Sequence, residues 1–157
     1  MEKKTMHHAA IISVKGRITK VKKNYEDGTR KHMDPYEVTF HDRQGYLHVL
    51  LTGRTENLDA GRKVWEKIED QCRKRGCKNV LLEKDLTEDM HVVDIYNLMR
   101  ELDSPGARMI CVAIVDRRNN RTELNEFAAT VAGNRGFTHR FFTTIDEAEK
   151  WLLPKTG

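Results

Sequence analysis

The sequence predicts an α/β fold, a mixed and mostly parallel sheet that opens with an antiparallel β-hairpin and carries about four helices. Three observations predict it. Residues 36–40 alternate apolar with polar side chains and the mostly apolar run 46–51 follows after a turn-like stretch, the mark of a strand hairpin. Beyond residue 58, segments of helical period alternate with short apolar strands, the pattern of crossover units. Residues 109–115 form one continuous apolar run, as a central parallel strand covered on both faces requires.

Each element follows from its residues. Residues 1–8 are expected to fray, as untied termini do. Residues 9–23 read as extended, with Ile12, Val14 and Ile18 sharing one parity. Glu26-Asp27-Gly28 signals a turn, with a return strand around 29–33. After Pro35, the strand 36–40, a loop of five residues at 41–45 and the strand 46–51 make the hairpin. Val64, Ile68 and Cys72 stand at helical spacing with Trp65 beside them, and Gly76 stops that helix, which spans 59–75. Residues 79–82 are a short strand. Val92, Ile95, Tyr96, Met99 and Leu102 form the inward stripe of a second helix, ended by Ser104-Pro105-Gly106. Asn120 and Glu123 have capping-box spacing and open a third helix that turns Leu124, Phe127, Ala128 and Val131 inward. Phe141-Phe142 marks the last strand. Thr144 and Glu147 cap a final helix through Ala148, Trp151 and Leu152, which Pro154 ends.

The length of 157 residues suits one domain over 36–153, preceded by a basic extension over 1–35. The formal charge of +4 is uneven. Residues 1–31 hold nine Lys or Arg and three acids, whereas the rest holds 19 basic and 21 acidic residues. Lys15, Arg17, Lys20, Lys22 and Lys23 make this a basic arm. Such an arm either binds nucleic acid or another polyanion, or protects a sheet edge from wrong pairing. Tyr25 is its one aromatic residue, so it has no stacking platform for single strands. No stretch nears the ~18 apolar residues of a membrane helix, and no signal-peptide pattern opens the chain. Three cysteines with only one close spacing, Cys72 to Cys77, suit a reduced cytoplasm better than a disulfide scaffold or a zinc site.

Several stretches carry a family resemblance. They are Gly45 to Gly53 with Leu47, Val49, Leu50 and Leu51 between, the helix at 59–75, and Val80-Leu81-Leu82-Glu83. The tail adds Arg140-Phe141-Phe142, then Asp146-Glu147-Ala148 and Trp151-Leu152. Over residues 36–153 the chain resembles the STAS superfamily, the fold of anti-sigma-factor antagonists. It is closest to the stand-alone SpoIIAA-like branch, which also resembles CRAL-TRIO lipid-transfer domains. The resemblance implies a regulatory, bacterial-type signalling module. Signalling members carry a phosphorylated serine where this chain has Asp94-Ile95-Tyr96-Asn97-Leu98, and no Ser or Thr lies between Thr87 and Ser104. The serine switch is therefore not expected, and Thr87 reads as a helix cap.

Parallel sheets place ligands outside the carboxyl ends of their strands. Two loops share that edge, 84–89 and 116–121. The expected function is non-enzymatic binding of a protein partner or a small ligand at this edge through Asp85, Thr87, Asp94, Tyr96, Arg117 and Arg118. Two alternatives stand beside it. One is a lipophilic molecule held between sheet and helices, which the lipid-transfer likeness implies. The other is nucleic acid on the basic arm. No nucleophile–base pair, metal-ligand spacing or phosphate-binding glycine loop is present, so neither catalysis nor a metal or cofactor is expected. Cys72 and Cys111 read as core residues. The sequence does not decide between a monomer and a homodimer.

Overall fold

The computed structural model describes residues 35–54, 57–118 and 122–154 in full, and the backbone of four short strands ahead of them. Those four are β1 (Ile11–Ile12), β2 (Ile18–Val21), β3 (Asn24–Tyr25) and β4 (His32–Met33). Then follow β5 (Tyr36–Arg43), β6 (Tyr46–Gly53), α1 (Leu58–Arg75), β7 (Asn79–Leu86), α2 (Val92–Glu101) and α3 (Pro105–Arg108). The chain continues through β8 (Cys111–Asp116), α4 (Thr122–Asn134), β9 (Thr138–Phe142) and α5 (Ile145–Leu152). A seven-stranded sheet runs β1-β2-β5-β6-β7-β8-β9, and β3 and β4 form a separate antiparallel pair. The strands β6 to β9 are parallel, and β1, β2 and β5 join antiparallel at one side. The expected α/β class is the one observed, with a fifth, short helix in α3.

Strand alternation sorts the side chains between two layers. Val38, Phe40, Leu47, Val49, Val80, Leu82 and Val112 face α1, α2 and α4 and build the larger core. Leu81, Ala113 and Val115 face the opposite way and pack with Ala148 and Leu152 of α5. Helix α1 forms because its ends are written locally. The Asn57 side chain accepts the Ala60 N–H at 2.8 Å. Gly76 takes the left-handed conformation, φ 67°, that closes the other end. Gly61 lets α1 approach α2 closely, since a Cβ there would stand 2.9 Å from Leu98 Cδ2. Helix α5 has the expected box: Thr144 Oγ1 accepts the Glu147 N–H at 3.2 Å, and its hydroxyl donates to Glu147 Oε2 at 2.9 Å.

Several expectations need correction. The five-residue hairpin loop is a two-residue turn, Gln44-Gly45, because Arg43 pairs with Tyr46. The polar side chains of His41, Asp42 and Arg43 disguised three strand residues as a loop. Strand β7 runs to Leu86, well past residue 82, with Glu83 paired to Leu50 on one side and Val115 on the other. In α2 the inward stripe is Ile95, Leu98 and Met99, continued by Leu102, while Val92 and Tyr96 are exposed. In α4 the buried residues are Asn125 and Ala132, and Leu124, Ala128 and Val131 are only partly buried against the core. Met109 is exposed and follows the unexpected α3, which starts with Ser104 accepting the Ala107 N–H. The capping residue expected at Asn120 lies outside the described residues, as do the side chains of Lys15, Arg17, Lys20, Lys22 and Lys23. No described helix is long and apolar enough to cross a membrane.

Candidate functional site at the carboxyl edge of the parallel strands

The carboxyl ends of β7 and β8 carry two polar groups, one on each face of the sheet. The sequence alternates Leu82, Lys84 and Leu86 toward the helices, and Leu81, Glu83 and Asp85 toward the α5 face. Asp116 ends β8 on the helix side, and Arg117 turns to the other.

On the helix side, β7, β8 and β9 stand away from α1, α2 and α4 around a cavity of about 70 Å³. Leu82, Leu86, Ile95, Ile114, Leu124 and Ala128 supply apolar wall. Trp65 and His139 stack with centroids 5.1 Å apart and add an aromatic wall. Lys84, Asp116 and Asn125 form the polar end, and the exposed Glu88 and Asp89 stand at its rim. Asp116 is only 2% exposed. Its carboxylate accepts from Asn125 Nδ2 at 3.2 Å and from the Arg118 N–H at 3.0 Å, which offsets part of the cost of burying it. His139 keeps some solvent contact as a residue, but its ring also meets Phe137, and burial pushes its pKa down to about 4. The ring is therefore neutral at physiological pH.

On the α5 side, Glu83 is 8% exposed and holds two partners. His48 Nε2 donates to it at 2.8 Å and Arg117 Nε at 2.6 Å. Burial alone would raise the Glu83 pKa, but the hydrogen bonds from Arg117 and His48 outweigh it and hold the carboxyl below its usual range. Arg117 also reaches Asp85 at 3.2 Å, and Arg118 lies 4.0 Å from Asp85. His41 sits across the hairpin from His48, ring centroids 5.4 Å apart. Burial, then the neighbouring His48, lowers the His41 pKa. Thr39 Oγ1 lies 3.2 Å from His41 Nε2, a hydroxyl–imidazole contact that the sequence reading did not name.

The structure thus brings Asp85, Arg117 and Arg118 together and leaves the other three expected residues apart. Arg117 is bound by two carboxylates, which leaves its charge largely satisfied within the fold. Thr87 does not cap α2, whose N-cap is His91 with no side-chain bond. Its hydroxyl donates to the Arg54 carbonyl at 3.2 Å and ties the end of β7 to the end of β6. Asp94 is in the first turn of α2, where a carboxylate suits the helix dipole. Tyr96 is exposed, and its hydroxyl accepts from Arg135 Nη2 at 3.2 Å. The missed residues are His48, Glu83, Asn125 and His139, whereas Lys84 and Asp116 fall in the two loops, 84–89 and 116–121, expected at this edge. Glu83 stands in the charged run Glu83-Lys84-Asp85 between Leu82 and Leu86, and no local pattern marks His48, Asn125 or His139.

Among the described residues, no three His, Cys, Asp or Glu side chains gather as metal ligands. The chain matches no known protein-family model and no curated protein.

Proposed function

We propose that the protein is a non-catalytic binding module that takes a small ligand between sheet and helices, at the carboxyl edge of β7 and β8. The observation that carries this reading is the cavity, apolar along its walls and polar at Lys84, Asp116 and Asn125. An apolar pocket with a few convergent polar groups is the usual form of a small-molecule site. Its place outside strand ends is where parallel sheets hold ligands. The resemblance to the STAS superfamily and its lipid-binding relatives points to the same layer between sheet and helices.

Magnitude narrows the ligand. A cavity of about 150 Å³ takes benzene, and this one is about 70 Å³. A molecule of a few heavy atoms fits without rearrangement, whereas a long acyl chain needs α2 or α4 to move out. The Thr39–His41 contact gives little support to catalysis. Strand β5 is paired on both sides, with Thr39 opposite Lys20 and Leu50. Its main-chain donors are consumed by the ladders, so β5 itself offers no free backbone N–H to an oxyanion beside that hydroxyl.

Titration with n-butanol, read on methyl resonances, tests the reading. Saturable shifts are expected at Leu82, Ile95, Ile114 and Leu124. Shifts scattered over the surface, or none at these methyls, would sink it.

A further inference from the structure

Cys72 and Cys77 take no part in the binding site, yet the C-terminal cap of α1 brings them together. Gly76 turns left-handed, and the Cys77 N–H returns to the Cys72 carbonyl at 3.0 Å. This capping geometry places the residue after the glycine against the last inward residue of the helix, a contact usually made by two hydrophobic side chains. Here both are cysteines, and Cys77 packs against the core cluster that holds Cys72. Cys72 lies in the main core at 3% exposure, whereas Cys77 is half-buried at its edge. The two thiols act on each other, and with Arg75 beside it the Cys77 thiol is held below its ordinary value while its neighbour and burial push Cys72 up. Cys77, the more exposed of the two and the one whose thiol is held low, is the sulfur that a small oxidant reaches first. The third thiol, Cys111, lies in β8, and burial raises its pKa.

We propose that Cys72 and Cys77 are a peroxide-sensitive modification site, with Cys77 as the attacking sulfur and Cys72 as the resolving one. The Cys77 thiolate attacks one peroxide oxygen. The S–O bond forms, the O–O bond breaks, and hydroxide leaves to take up a proton as water. Cys72 then attacks the resulting sulfenic sulfur. The S–S bond forms, the S–O bond breaks, and the Cys72 proton departs with the hydroxyl as a second water. The two sulfurs together lose two electrons, and hydrogen peroxide is reduced to water.

The test uses the full chain with its native cysteines. The protein is treated with a modest molar excess of hydrogen peroxide at neutral pH, its remaining thiols are alkylated, and it is mapped after trypsin. Cleavage after Lys67, Arg73, Lys74, Arg75 and Lys78 separates the two cysteines. The disulfide must then appear as a joined pair of peptides, 68–73 with 76–78. The proposal expects that pair, a whole-chain mass lower by two hydrogen atoms before alkylation, and Cys111 alkylated. It also expects Cys72→Ser to stop at a Cys77 sulfenic acid that dimedone traps. Oxidation of Cys111 ahead of the pair would overturn it. So would intermolecular dimers in place of the internal bond, over-oxidised Cys77 without the cross-link, or three thiols that stay alkylatable. The map of the native sequence decides the matter even if Cys72→Ser fails to fold.

Discussion

His139 is neutral in the fold because its ring is packed against Trp65 and Phe137, and that has a measurable sign. Its pKa falls from an ordinary 6.5 to about 4. Between those values the unfolded chain takes up a proton that the folded chain refuses. Stability should therefore drop by roughly 2–3 kcal/mol as pH falls through that window. His139→Phe keeps the stacking and removes the proton. The loss in urea midpoint from about pH 7 to about pH 5 should shrink in that variant. Equal losses in both proteins would show that His139 is not the source. Glu83 acts in the same direction at lower pH, because its folded pKa is depressed. Its contribution is full above the unfolded carboxyl value and is lost as pH falls through the folded one. Glu83→Ala strands His48 and loosens Arg117, and should cost about 2–3 kcal/mol. Arg117 stays half-exposed and bound to Asp85, which keeps the figure below that of a fully buried pair. Chemical denaturation checks it, and a loss under ~0.5 kcal/mol would mean that the buried carboxylate is not holding this face together.

Local and non-local signals account for what the sequence revealed of each element. Helix α1 was legible nearly to the residue, because the Val64-Ile68-Cys72 stripe and Gly76 act within a few positions of themselves. The box at Thr144 and Glu147 made α5 equally plain. Gly76→Ala should cost about 1 kcal/mol, since the added Cβ meets no atom and only the left-handed backbone resists it. A thermal midpoint unchanged by that substitution would contradict the capping account. The second half of β7 was illegible for the opposite reason. Glu83, Lys84 and Asp85 look like loop residues until β6 and β8 supply ladder partners and His48 and Arg117 supply charge partners from far along the chain. The hairpin turn failed in the same way, since His41 finds His48 only once the strands pair. In α2 the spacing placed Ile95, Met99 and Leu102 inward as observed, but it also turned in Tyr96, which is exposed and paired with Arg135, in place of Leu98.

The whole molecule is a sheet with unequal covers. Among the described residues, α1, α2, α4 and the short α3 lie on one face and the eight-residue α5 on the other. The larger cover leaves the cavity, and that void is itself a stability cost. Filling it with Ala128→Leu should stabilise the protein by about 0.5–2 kcal/mol while removing the ligand, the usual trade of a functional void against packing. The α/β class was legible in the alternation of periods along the chain. The cavity was not, because its polar end is assembled from β7, β8 and α4, and its aromatic wall from α1 and β9. Native mass spectrometry of the full chain purified gently from cells, beside Ala128→Leu, puts the binding function to the test. The account predicts a non-covalent mass on the native chain that is absent from the folded variant. Bare chain mass in both, or the same adduct on both, would contradict it.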